Sequence, residues 1–383
     1  MKHLNKFLFG LIIIFLVFGL TALAKDNRPY VVGAFCSVTG PNAPLGGPEK
    51  DTLVMLAEQI NKKGGINGHP LKLIVEDDGS DNTNAVKAAK KLIDQDNVCA
   101  IIGSSGTAPT MAVIPIMEEA GVPHVSMAAG TSITVPIKKW VFRTPQTDTM
   151  AIEKILTYLT GNKIKKVAMI YDSNAFGTNG RDQLRLLAPK YKVTIVAEES
   201  FATKDTDMTV QLTKIRTTGA QAIICWGTNP GPALVAKSAQ QLSVGLPLLM
   251  SHGVANQAFL DLAGSAANGI ILPAGKLIVA DQLPSSDPQK KLLTQYLNDF
   301  QTKYNYTTNT FGGHGWDALS IIVRALKKTG DNRSKLRDEI EKTKNFVGTG
   351  GIFTYSTTDH DGLTKDAFVM IKVVDGKWTL LKK

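Results

Sequence analysis

The chain has 383 residues, 43% hydrophobic and 20% charged, with Gly 34 and Pro 17 near average usage, which excludes wholesale disorder and leaves room for two or three ordinary domains. Three cysteines in that length cannot form a disulfide scaffold. The formal charge of +10 includes Lys2 and Lys6, and other lysines fall in scattered pairs such as Lys62-Lys63, Lys90-Lys91, Lys138-Lys139 and Lys290-Lys291. Such pairs mark solvated helix faces, so no nucleic acid is expected as a partner.

Lys2 and Lys6 precede the apolar run Phe7 to Leu20, shorter than the roughly 20 residues a spanning helix needs, and Ala22-Leu23-Ala24 supplies a small-x-small cleavage pattern. Residues 1–24 read as a secretory signal peptide. No cysteine near the cut offers a lipid anchor, and no later stretch reaches spanning length, so the mature chain is expected to be exported and soluble.

The mature chain opens with a strand, Tyr30 to Cys36, and a Gly/Pro loop through Gly47. The amphipathic stretch Asp51 to Lys62 follows, ended by Gly64-Gly65. Leu71 to Asp77 reads as a strand, Thr83 to Ile93 as a helix, Cys99 to Ile102 as a strand, Thr107 to Glu119 as a helix and His124 to Ser126 as a strand. After Arg143 the alternation restarts: helix Met150 to Leu159, strand Val167 to Tyr171, helix Gly180 to Ala188, strand Val193 to Glu198, helix Met208 to Arg216, strand Ala222 to Cys225 and helix Ala233 to Gln241. Strict β/α alternation implies parallel sheets with helices on both faces, hence an α/β protein of two lobes. Ala100-Ile101-Ile102 to Gly121-Val122-Pro123 is echoed by Ala222-Ile223-Ile224 to Gly245-Leu246-Pro247, as if each half repeats one plan. Helical patterns at Gln289 to Lys303, Trp316 to Lys327 and Lys335 to Thr343 precede a hairpin, Phe368 to Val374 and Lys377 to Leu381, turning at Asp375-Gly376. These late elements are read as crossing back to complete both lobes.

Cys36 ends one strand and Cys99 begins another, at opposite edges of a parallel sheet, and Cys225 lies in the other lobe. That exceeds the roughly 7 Å Cα limit for a bridge, so three buried thiols are expected.

Catalytic patterns are missing. Gly103-Ser104-Ser105-Gly106 lacks G-x-S-x-G spacing, and no phosphate loop, dinucleotide fingerprint or H-E-x-x-H pair occurs. Asp77-Asp78-Gly79 and Asp359-His360-Asp361-Gly362 do not fit a calcium loop and read as solvated turns. No cofactor, metal or enzymatic activity is expected, although a site assembled in space is invisible to spacing.

Binding chemistry is present at the carboxyl ends of the strands, where open α/β sheets hold ligands. Gly103-Ser104-Ser105-Gly106-Thr107 runs into a helix N-terminus, a cradle for a carboxylate or phosphate, with plain N-capping by Thr107 as the alternative. Met127-Ala128-Ala129-Gly130-Thr131-Ser132 repeats the theme. The matching ends in the second lobe carry Phe176, Trp226-Gly227-Thr228 and Ser251-His252-Gly253, so a cleft between lobes suits a small acid with an apolar body.

Gly40-Pro41, Ile60-Asn61-Lys62-Lys63-Gly64-Gly65-Ile66-Asn67-Gly68, Asp77-Asp78, Ile101-Ile102-Gly103, Ala120-Gly121-Val122-Pro123, Phe142-Arg143-Thr144 and the final hairpin resemble the leucine/isoleucine/valine-binding proteins of bacterial ABC importers. The resemblance spans the mature chain. It implies the type I periplasmic binding fold: two Rossmann-like lobes with parallel central sheets, three crossovers, and closure on ligand. The expected first lobe is 25–144 plus 275–347, and the second is 145–274 plus 348–383. A periplasmic, monomeric solute-binding protein serving permease subunits is implied, with a ligand-sensing receptor ectodomain as the alternative. Carried over by position, the carboxylate hydroxyl falls at Thr107, backbone contacts at Ala128 and Gly130, and aromatic walls at Phe176 and Phe311. Ser105, Thr131 and Trp226 complete the candidate set from the strand-end reading. Leu45 stands where the family often has an aromatic, Thr228 where it has a tyrosine, and His252 where an acid pairs the α-ammonium. A neutral imidazole does not replace that acid for a buried cation. The expected ligand is accordingly a small carboxylate: an aromatic or branched acid, or a branched-chain amino acid if Asp148 or Asp317 pairs the ammonium.

Overall fold

A computed structural model describes residues 27–381, so the signal-peptide reading of 1–24 lies outside the described residues. In chain order the first lobe begins with β1 (Tyr30–Cys36), α1 (Ala43–Lys62), β2 (Leu71–Asp77), α2 (Asn82–Asp94), β3 (Ala100–Gly103), α3 (Thr107–Ala120), β4 (His124–Ser126) and β5 (Val141–Arg143). The five strands form one parallel sheet in the order β2-β1-β3-β4-β5. β3 is buried throughout and β1 nearly so, as expected for central parallel strands covered on both faces.

The second lobe follows with α4 (Asp148–Gly161), β6 (Lys166–Asp172), α5 (Ala175–Leu187), β7 (Thr194–Phe201), α6 (Thr209–Arg216), β8 (Ala222–Trp226), α7 (Gly231–Gln241), β9 (Leu248–Met250), α8 (Gln257–Ala263) and β10 (Ile271–Gly275). The chain then returns through α9 (Lys290–Tyr304), α10 (Thr310–Thr329), α11 (Arg333–Glu341) and the short pair β11 (Phe346–Val347) and β12 (Ile352–Phe353). It ends in the hairpin β13 (Phe368–Val374) and β14 (Lys377–Leu380). The second sheet runs β14-β13-β10-β9-β8-β6-β7, with β13 and β14 antiparallel at one edge.

The Gly/Pro stretch before Asp51 is helical, not loop. Gly46 sits where a Cβ would strike the Ser37 backbone, so it is there for close packing. Pro48 leaves the Pro44 carbonyl without its helical donor, and Asn309 Nδ2 donates to it at 3.3 Å. β5, β9 and β10 stand where the sequence pattern gives no strand.

The late helices complete the first lobe. Ala318, Leu319, Ile321, Ile322 and Leu326 of α10 and Leu336 and Ile340 of α11 join Val32, Ala34, Ala100 and Ile102 in one core. Phe353, Tyr355, Leu363 and Ala367 belong to that same core, and the chain joins the second sheet at Phe368. Residue 348, the expected boundary, begins a clamped turn. Asp317 accepts from the Thr349 N–H at 2.6 Å and the Gly350 N–H at 2.7 Å, and Gln146 Nε2 donates to the Gly350 carbonyl at 2.6 Å. Gln289 Nε2 donates to the Gly348 and Thr349 carbonyls, so Gln146, Gln289 and Asp317 together hold residues 348–350.

Cys36, Cys99 and Cys225 are free and buried, with burial pushing the Cys99 thiol up to about 12. The acidic turns are not simply solvated. Asp78 is fully buried, accepting from Ser37 Oγ at 2.7 Å and Ser104 Oγ at 2.5 Å. His360 is buried as well, and Asp361 pairs with the buried Arg143 at 2.6 Å. These groups tie neighbouring loops together, which local spacing does not show.

Candidate functional site

The carboxyl ends of the parallel strands of both lobes face each other across a cavity of about 150 Å³. Its first-lobe wall comprises Leu45 of α1, Ser105 and Gly106 after β3, Thr107 to Pro109 at the start of α3, and Met127 and Ala129 after β4. The opposite wall comprises Asn174 to Phe176 entering α5, Thr203, Thr228 after β8, and His252-Gly253 after β9. Phe311 and His314 close the floor from α10.

The start of α3 carries free donors. Gly106, not Thr107, is the N-cap residue and has no side chain to cap with, so the capping alternative for Thr107 falls away. Thr107 Oγ1 makes no hydrogen bond within the protein, and neither do the Thr107 and Ala108 N–H groups. Pro109 has no donor to satisfy. A hydroxyl and two backbone N–H groups at a helix N-terminus form an anion cradle. Ser105 is differently placed, because its Oγ contacts Glu49 Oε2 and accepts from the Ser37 N–H at 3.0 Å. Burial raises the Glu49 carboxyl well above the usual range, against the pull of the Ser105 hydroxyl.

The loop after β4 is held from behind. Arg143, fully buried at the end of β5, donates from Nη1 to the Ala129 and Gly130 carbonyls at 2.8 Å each. The Ala128 N–H is already given to Ser126 Oγ at 3.1 Å. Thr131 reaches the other lobe instead of the cavity: its N–H donates to Asn179 Oδ1 at 3.0 Å, and Asn179 Nδ2 donates to Ser132 Oγ at 3.2 Å. Another bond between lobes runs from Thr228 Oγ1 to Asn42 Oδ1 at 3.3 Å.

Of the candidates read from sequence, Leu45, Ser105, Thr107, Phe176, Thr228, His252 and Phe311 line the cavity, and Ala128, Gly130, Thr131 and Trp226 do not. Trp226 is fully buried one layer back, its ring 6.0 Å from Phe176 and 5.8 Å from His252, so it supports the wall. The reading missed His314, one helical turn beyond Phe311 and therefore on the same face of α10; that spacing was the available signal. Thr203 and Asn42 were missed because they reach the cavity from loops.

No Asp, Glu, Lys or Arg lines the cavity. Asp148 stands behind His252, 3.9 Å from Nε2 and fully buried, its carboxyl raised well above its usual range by burial. Burial lowers both His252 and His314 to about 3, so both imidazoles are neutral. Among the described residues no cluster suits a metal ion, and no helix is long and apolar enough to cross a membrane.

Known proteins resemble this chain in sequence and fold. Leu/Ile/Val-binding protein homolog 3 of Brucella melitensis is 26% identical over 350 residues, covering 90% of this chain and 92% of that protein. The leucine-, isoleucine-, valine-, threonine- and alanine-binding protein of Pseudomonas aeruginosa is 25% identical and covers 77% of each. An extracellular ligand-binding receptor from Rhodopseudomonas palustris superposes with a TM-score of 0.87 at 27% identity, over 92% of this chain and all of that one. The family described as periplasmic binding protein matches residues 29–377, nearly everything the structure describes. With two parallel-sheet lobes, a cavity at their facing strand ends and these relatives, the chain belongs to the type I periplasmic binding proteins of the branched-chain amino acid group.

Proposed function

We propose that this protein is the exported binding component of an ABC importer and captures a small carboxylate that lacks an α-amino group, an aromatic or branched acid, by closing its lobes. The supporting observation is an asymmetry of charge partners. Free donors at Thr107 and Ala108 suit a carboxylate, whereas the position opposite holds neutral His252 and the whole lining offers no acid for an ammonium. Leu45, Phe176 and Phe311 supply the apolar walls, and Ser105 and Thr228 add polar groups whose hydroxyls are bonded to Glu49 and Asn42. Ala128, Gly130, Thr131 and Trp226 shape the site from behind, while permease subunits receive the ligand from a monomer. The relatives named for leucine, isoleucine and valine make those amino acids the competing ligands. Mass spectrometry of what copurifies, with a thermal-shift screen of amino acids against their amine-free counterparts, tests this. A ligand at 100 times its Kd adds about 2.7 kcal/mol of apparent stability. Amine-free acids should give the largest shifts; leucine, isoleucine or valine doing so instead overturns the reading.

A further inference from the structure

Five histidines lie among the described residues, and their ring nitrogens divide them. His69 Nδ1 bonds the Arg28 carbonyl at 2.9 Å, His124 Nε2 bonds the Gly103 carbonyl, and His360 bonds the Val141 carbonyl at 2.8 Å and Glu341 at 3.1 Å. The two that line the cavity have no hydrogen-bond partner at all. Both nitrogens of His252 are enclosed and unpaired, as is Nδ1 of His314, while His314 Nε2 is unbonded but not enclosed. The rings are 6% and 4% exposed, so water does not satisfy them in bulk. His252 is set by edge contacts with Phe176, Trp226 and Phe368, centroids 5.3 to 5.8 Å away, and His314 by an edge contact with Phe311 at 6.1 Å. Nearly every buried polar group in a folded protein has a partner. His252 Nε2 looks back toward Asp148, whose oxygens are also unpaired, at 3.9 Å, so His252 Nδ1 and His314 Nε2 are the ring nitrogens left for a partner arriving through the cavity.

We propose that His252 and His314 form a second polar subsite that takes an uncharged oxygen, a hydroxyl or a carbonyl, carried by the bound acid. This rests on the carboxylate reading above and narrows it to an oxygenated carboxylic acid. A neutral imidazole donates from one nitrogen and accepts at the other, so one nitrogen from each ring, a donor and an acceptor, matches a hydroxyl in both roles, and a single donor matches a carbonyl. A second carboxylate would have to be buried without a cation to pair it, because burial holds the His252 imidazole neutral and neither Lys nor Arg lines the cavity. An ammonium would need a carboxylate within contact, and Asp148 does not line the cavity.

Calorimetric titration of acids that differ only in one oxygen tests the subsite: phenylpropanoate against phenylpyruvate and hydroxyphenylpropanoate, and isocaproate against ketoisocaproate. In at least one pair the oxygenated acid should bind about tenfold tighter or more. That ratio should collapse toward one in His314→Leu and in His252→Phe, and be partly kept in His314→Asn, with melting curves confirming that each variant is folded. Equal affinity within every pair, or a preference that survives both apolar variants, overturns the subsite and leaves the carboxylate reading standing. If no amine-free acid binds while leucine does, both readings fall.

Discussion

Replacing Gly130 by alanine should disable capture although Gly130 does not line the cavity. Its φ of −58° and ψ of 123° suit any residue, so the backbone carries no penalty. The new Cβ is the whole perturbation: it would lie 3.0 Å from Thr107 Oγ1, 3.3 Å from Thr107 Cβ and closer still to Cγ2. The loop cannot easily retreat, because Arg143 holds the carbonyls of Ala129 and Gly130. Overpacking of this kind costs about 1–3 kcal/mol of stability. Turning the Thr107 hydroxyl away forfeits a hydrogen bond to a charged group, about 1.5–3 kcal/mol, or about ten- to a hundredfold in affinity. Thr107→Ser deletes the offending Cγ2 and keeps the hydroxyl, so Gly130→Ala with Thr107→Ser should recover most of both losses. Four proteins, the parent, both single variants and the double, are compared by thermal unfolding and by titration with the acid giving the largest thermal shift. Gly130→Ala binding as well as the parent, or a double variant no better than Gly130→Ala alone, refutes the reasoning.

His252→Glu should shift preference in a thermal-shift screen from amine-free acids toward leucine, isoleucine or valine, and should lower the ligand-free melting temperature because it buries an unpaired charge; an unchanged ligand ranking counts against the role given to this position. Asn179→Ala removes the bonds to Thr131 and Ser132 across the cleft, so small-angle scattering should show a larger ligand-free radius of gyration and titration a weaker Kd. The pH dependence of stability should carry a contribution from Asp317, whose carboxyl burial raises from 3.8 to about 7 against the pull of the Thr349 and Gly350 N–H groups. The folded state then holds the proton more tightly than the unfolded chain, so this contribution is complete below about 3.8 and is lost as pH rises through about 7. Measured melting temperatures should therefore favour the parent over Asp317→Asn increasingly between pH 8 and pH 5, and a constant difference would contradict the sign.

Regular β/α alternation made the sheets legible: β1, β2, β4 and β13 occupy the residues that the pattern gives. What periodicity missed was decided at a distance. Gly46 reads as loop until Ser37 is seen pressed against it, and Asp78 reads as a solvated turn until Ser37 and Ser104 are seen to donate to it. The same limit governs the site. Thr107 and Phe176 could be nominated because strand ends and helix starts carry a chemical signature, and Phe311 because the family resemblance carries an aromatic wall to that position. No local feature separates Trp226, one layer too deep, from Phe176 at the surface, or shows that Thr131 is engaged by Asn179 across the cleft.

The interleaving of the chain between lobes bears on how the protein reaches its native state. The first core needs Val32 and Ala34 together with Phe353, Tyr355 and Ala367, and the second sheet needs β13 and β14, whose Ile371 and Val373 enter its core. Neither lobe can finish packing while residues 353–380 are unmade or withheld, and closing loops of that length raises the entropic cost of reaching the folding transition state. The two lobes should therefore gain their final stability together, in a single late event. Any factor that sequesters this one segment would hold the whole molecule, ligand cavity included, in an unfinished form.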